Sequence, residues 1–91
     1  MAEKEIVKAT ILFKLFRKGK IGGAHTALRN ASKGMKEDSK IIKKSIEELN
    51  KEGFLLAKKS TGEIHVSLNP HRINEIKIYI SKYLDINISM L

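Results

Sequence analysis

Leu49-Asn50-Lys51-Glu52-Gly53-Phe54-Leu55 is the stretch on which the reading of this chain turns. Before it, Ile42, Ile46 and Leu49 recur at the three- and four-residue spacing of a helix, with Ile41 and Ser45 beside the stripe. After it the period falls to two. Gly53 stands at the change because the chain must leave the helix with positive φ and enter a strand at once, a conformation that costs glycine no Cβ clash. The helix is predicted over 37–52, with Glu37, Asp38 and Ser39 supplying acidic and capping residues at its start.

Downstream, Phe54 to Lys59 reads as a strand, buried at first and solvated at its end. Ser60-Thr61-Gly62-Glu63 is a turn. Ile64, Val66 and Leu68 then alternate with His65, Ser67 and Asn69, a half-buried strand that completes a hairpin. Asn69-Pro70 offers a helix cap followed by proline in the first turn. A closing helix over 70–84 carries Ile73, Ile76, Ile80 and Leu84 on one side.

Upstream, a first helix over 3–18 presents Ile6, Val7, Ile11, Leu12, Leu15 and Phe16 as a broad apolar face and ends at Gly19. Lys20 to Gly23 has room for a turn or a minimal strand. His25-Thr26 caps a short helix running to about Ser32, and Lys33-Gly34-Met35 breaks it. The whole is α+β, mostly helical, and one domain over 1–91, with 70–91 as C-terminal helix and tail.

Composition narrows the function. Eighteen Lys and Arg against ten acids leave a formal charge of +8, which a polyanionic partner would relieve. The absence of cysteine excludes disulfides, thiolate metal sites and cysteine nucleophiles. Neither a signal-peptide hydrophobic region nor a membrane-length apolar run occurs, so a cytoplasmic protein is expected.

Helix, brief strand, helix, helix, hairpin and final helix is the order of a winged helix, and the Leu49–Leu55 stretch resembles the junction between recognition helix and wing in small transcription regulators. Gly22-Gly23-Ala24-His25-Thr26, taken with His65-Val66-Ser67-Leu68-Asn69-Pro70, is also similar to small archaeal winged-helix proteins. The resemblance implies a three-helix core with a two-stranded β-hairpin wing and an additional C-terminal helix. It implies binding of double-stranded DNA by a transcriptional regulator, with helix 37–52 offered to the major groove and the wing, over 54–68, beside it.

The residues fit that role on their own terms. Turning Ile42, Ile46 and Leu49 inward leaves Lys36, Lys40, Lys43, Lys44, Glu47 and Lys51 outward. Lys33 lies just before this helix, and Arg29 and Asn30 lie on the preceding one. Lys58, Lys59, Ser60 and Thr61 add donors near the hairpin tip, suited to phosphate contacts. For any one lysine a solvated surface is explanation enough; for a cluster on two converging elements, DNA is the stronger reading. Lys4, Lys8 and Lys82 fall outside both elements and read as exposed. The proposed recognition helix has no Arg, the residue best suited to guanine, so phosphates should dominate affinity over sequence. An adaptor docking on a protein or structured RNA partner is the alternative.

Other chemistries find little in the sequence. His25, His65 and His71 have no acids at ligand spacing, with His25 a helix-start residue and His65 an exposed strand position, so no metal is expected. No cofactor, small-molecule substrate, membrane partner or catalytic constellation is expected, and the chain is read as not an enzyme. The last helix and tail carry Ile78, Tyr79, Tyr83, Ile86, Ile88, Met90 and Leu91 beyond the inward stripe. Either the tail folds back over the core or this surplus forms a homodimer, with Tyr79, Tyr83 and Ile86 at the contact.

Overall fold

The computed structural model describes residues 3–91, with Ser60 described through its backbone alone. The elements run α1 (Glu3–Arg17), β1 (Thr26–Ala27), α2 (Leu28–Ala31), α3 (Ser39–Lys51), β2 (Leu55–Ser60), β3 (Glu63–Leu68) and α4 (Ile73–Leu84). Single 3-10 turns at Pro70–Arg72 and Ile88–Met90 flank α4. The fold is α+β and mostly helical, its four helices joined by a three-stranded antiparallel sheet in the order β1-β3-β2. Among the described residues no helix is long and apolar enough to cross a membrane.

The Leu49–Leu55 junction closes as the glycine predicts. Gly53 takes φ +83°, and the Phe54 amide donates back to the Leu49 carbonyl at 3.0 Å, which ends α3 and leaves three residues before β2 starts. The Asn69-Pro70-His71-Arg72 segment fastens this corner from the far side of the hairpin. Asn69 donates its side-chain amide to the Gly53 carbonyl at 2.8 Å, and Arg72 donates to the Glu52 carbonyl at 3.1 Å. The Arg72 guanidinium also lies 4.9 Å from the centre of the Phe54 ring. A Cβ at position 53 would come within 2.8 Å of that guanidinium and make the flexible Arg72 side chain shift, so it is the positive φ that calls for glycine there.

Leu55 pairs with Leu68 and Ala57 with Val66, and the hairpin turns through Thr61 at φ +48° and Gly62 at φ +81°. Two consecutive residues of positive φ twist the chain in the sense that right-twisted strands need. Leu55, Val66 and Leu68 cover the core, where they meet Val7, Ile11, Leu12 and Leu15 of α1, Ile42, Ile46 and Leu49 of α3, and Ile76 and Ile80 of α4. α1 runs through the middle, in contact with both α3 and α4.

The structure departs from the sequence reading in three places. The expected capped helix from His25 is a strand first: Thr26 pairs with Val66 and Ala27 with His65, leaving α2 only Leu28–Ala31. The open edge of β3 satisfies that backbone better than a cap would, and Thr26 is β-branched. Lys20–Gly23, expected as a turn or a minimal strand, is a turn with a single bridge from Ile21 to Leu68. β2 loses its cover sooner than expected, with Leu55 buried and Leu56 already exposed. On α1 the buried face is rotated: Ile6 is exposed, while Lys8, read as exposed, is only 5% accessible. Lys8 stands one turn before Leu12, on the stripe that faces α3, and its ammonium lies 2.7 Å from the Glu52 carboxylate and 3.6 Å from that of Glu48.

Candidate nucleic-acid interface

α3 begins at Asp38, whose carboxylate accepts the Lys40 amide at 2.8 Å, and then sorts its charged side chains by face. At 100° per residue, Lys40, Lys44, Glu47 and Lys51 point away from the Ile42–Ile46–Leu49 stripe, and all are exposed. Glu48 lies toward α1, where it pairs with Lys4 and Lys8, and Glu52 just past the helix also pairs with Lys8. Lys43 and Asn50 lie on the opposite flank, toward the hairpin. Two of the acids in this region are thus neutralised by α1. Among the described residues none of Lys33, Lys36, Lys40, Lys43, Lys44 and Lys51 forms a salt bridge.

The hairpin adds to this face selectively. Alternation along β2 puts Lys59 on the side of Leu55 and Ala57, which faces the helices, whereas Lys58 takes the outer side opposite His65. Both lysines are exposed and neither is salt-bridged among the described residues. Thr61 is exposed at the turn, and the Ser60 side chain lies outside the described residues. If α3 and the hairpin share one anionic ligand, Lys59→Ala should weaken binding several-fold and Lys58→Ala less. Fluorescence titration of the two single variants checks this; a larger loss for Lys58 would place the ligand on the outer face.

The remaining sequence-assigned residues divide. Arg29 is exposed and salt-bridged to Glu63 of β3, so part of its charge is already answered. The Asn30 side-chain amide lies 3.3 Å from the Thr26 hydroxyl, and its carbonyl accepts from the Lys18 ammonium at 3.3 Å. Lys33 is exposed; its carbonyl accepts from Lys14, whose own ammonium is pushed below its usual 10.5 by burial and by Lys18 nearby. Lys14 and Lys18 thus tie the end of α1 to the segment leaving α2, an anchoring role that spacing along α1 did not disclose.

No family model, curated protein or solved structure matches this chain.

Beside the lysines runs an apolar cleft that the sequence reading passed over. Leu28, Ile46, Ala57 and Ile64 form its floor and Lys43, Glu47 and Asn50 its edge, around a volume of about 160 Å³. Ile64 and Ala57 belong to the hairpin face that is buried further down at Val66 and Leu55, so the cleft is the core surface continued outward past the last covering helix.

The histidines also stand differently from their sequence reading. His25 and His65 are half-buried, with their Nδ1 atoms 2.7 Å apart and their rings edge-on at 4.8 Å, because β1 brings Ala27 opposite His65. The nearest carboxylate, of Glu63, lies 4.0 Å from the other nitrogen of His65. No group of three or more acids and histidines poised for a metal occurs among the described residues.

At the opposite end, Tyr79 packs on Phe54 and Tyr83, with ring centres 5.8 and 4.7 Å apart, and Lys8 lies 5.7 Å from its ring centre. Burial, and then the Glu52 carboxylate, push its phenol well above the usual 10.0. Ile86 and Leu91 pack against the core, so the tail folds back over it. Tyr79 and Ile86, assigned to a dimer contact, thus have partners within the chain. The exposed apolar residues at this end are Ile78, Ile88 and Met90.

Proposed function

We propose that this chain is a winged-helix protein that binds double-stranded DNA as a transcriptional regulator, with α3 in the major groove and the β2–β3 hairpin as the wing along the adjacent backbone. The observation that carries the reading is the sorting of charge on α3. Glu48 and Glu52 are engaged by Lys4 and Lys8, while Lys40, Lys43, Lys44 and Lys51 face outward without salt bridges among the described residues. A helix that only needed solubility would gain by pairing its lysines with its own acids one turn away; this one leaves a positive face beside Lys59. The function is binding, not catalysis. A homodimer belongs to the same proposal, formed not through Tyr79 and Ile86 but across the apolar surface that the folded-back tail leaves open, with Ile78 56% and Met90 78% exposed, and would present two such helices to a two-fold site.

The test compares two triple variants of equal charge loss. Lys40, Lys43 and Lys44 to Ala should weaken duplex binding roughly tenfold more than Arg17, Lys77 and Lys82 to Ala, which lie on α1 and α4. Equal losses would mean diffuse attraction and would remove α3 from the interface. Docking on a protein is the second reading, favoured by the apolar cleft of Leu28, Ile46, Ala57 and Ile64.

A further inference from the structure

The cleft between α3 and the hairpin lies within the surface assigned to DNA, and its chemistry is not that of a phosphate site. Its floor is aliphatic, and Ile64 keeps 43% of its surface exposed at a strand position whose neighbour on the same face, Val66, has none. Single exposed isoleucines are ordinary, but here four apolar side chains from α2, α3, β2 and β3 converge. Lys43 stands at the edge, and Lys59 lies one step further along the same hairpin face. The Glu47 carboxylate shares that edge with Lys43, so the occupant that fits is apolar where it enters and negatively charged only where it passes the two lysines.

Duplex DNA offers one such group in the major groove, the C5 methyl of thymine, set between the phosphates of its strand. α3 carries no Arg, so it lacks the planar fork that reads guanine, and its lysines are point charges that favour phosphates. We infer that the Leu28–Ile46–Ala57–Ile64 cleft receives thymine methyl groups and gives this protein a preference for A·T-containing duplex. The inference rests on the DNA-binding reading and names the base feature that reading leaves open. Lys43 and Lys59 hold the backbone on the two sides of the cleft, and Asn50 at its edge has the donor and acceptor that suit adenine.

The experiment compares one A·T-rich duplex with the same duplex in which every thymine is uracil. Phosphates and hydrogen-bonding edges are unchanged; only methyls are removed. The protein should bind the thymine duplex about three- to fourfold more tightly for each methyl buried. Ile64→Thr keeps a β-branched side chain at an exposed position, so the hairpin should hold while the preference falls toward one and the salt dependence stays as it was. Equal affinity of the unchanged protein for both duplexes, with salt-sensitive binding intact, overturns the methyl inference and leaves the DNA reading standing, with the cleft open to a protein segment instead. Binding to neither duplex overturns both. A thymine preference that survives in Ile64→Thr comes from the stiffness of the DNA and not from the cleft, which also overturns the inference.

Discussion

Raising the salt from about 50 mM to about 200 mM should weaken duplex binding roughly a thousandfold. The estimate follows from counting cations that have no partner inside the protein. Lys33, Lys36, Lys40, Lys43, Lys44, Lys51 and Lys59 are exposed, belong to the proposed face and form no salt bridge among the described residues, and about six of these seven reach phosphates at once. Arg29 is left out because it already pairs with Glu63, and Lys58 because it points to the other side of the hairpin. About six phosphates neutralised give a log–log slope near −5, since each contact releases nearly one counterion. A titration at four salt concentrations measures that slope. A flat response would remove the electrostatic basis of the proposal, and a slope near −2 would mean that α3 does not lie along the backbone.

The slope also bears on specificity. Lysine ammonium groups approach phosphates from many directions and carry no fixed fork, so an interface built on them holds DNA firmly without reading much of it. Discrimination then falls to whatever else lies on the face. Here that is Asn50 and the aliphatic cleft, both on the hairpin flank of α3.

Local signals made much of this legible from the sequence. Gly53 announced the end of α3 because its left-handed conformation is a property of one residue and the next hydrogen bond. Asn69-Pro70 announced the turn into α4 in the same way, with the Asn69 carboxamide accepting the His71 amide at 3.0 Å. The α3 lysines followed from the 3.6-residue period, since fixing the buried stripe fixes its opposite. What stayed hidden depended on elements distant in sequence. Thr26 and Ala27 look like a helix start until the edge of β3 is known to lie beside them. His25 and His65 meet only through that same pairing, forty residues apart. The cleft needed the hairpin register, because Ile64 alternates correctly for a buried strand and only the missing cover above it leaves it exposed. Lys8 was the one readable miss: it falls on the stripe with Leu12 and Leu15, and the polar label outweighed the position.

Lys8 supports the second large expected effect, which is on stability. Its side chain is 6% accessible, while Glu52 and Glu48 keep 44% and 30% of theirs. The pair is therefore lopsided, with a buried cation and two half-solvated anions. Removing the cation leaves carboxylates that water can serve, and Lys8→Met fills the same space beside Tyr79 with an apolar chain; its stability should stay within about 1 kcal/mol of the unchanged protein. Removing the anions is different, because an ammonium left buried without counter-ions costs about 3 kcal/mol even where some water reaches it. Glu48→Gln combined with Glu52→Gln should accordingly lower the urea midpoint clearly more than Lys8→Met does, although both changes remove the two Lys8 ion pairs; the solvent-exposed Lys4–Glu48 pair that the double variant also loses adds little. Acid should act in the same direction. The hydrogen bond from Lys4 holds the Glu48 carboxyl below its ordinary 4.5, so its contribution is complete above that value and is lost as pH falls through the lowered one. Urea unfolding at neutral pH and again near pH 3 measures both effects. If Lys8→Met proves the more damaging change, the ion pairs stabilise α1 against α3 through attraction itself, and the buried ammonium is not the expensive partner. Restoring the fold of the double glutamine variant by adding Lys8→Met would fix the assignment, since only a stranded charge is relieved by its own deletion.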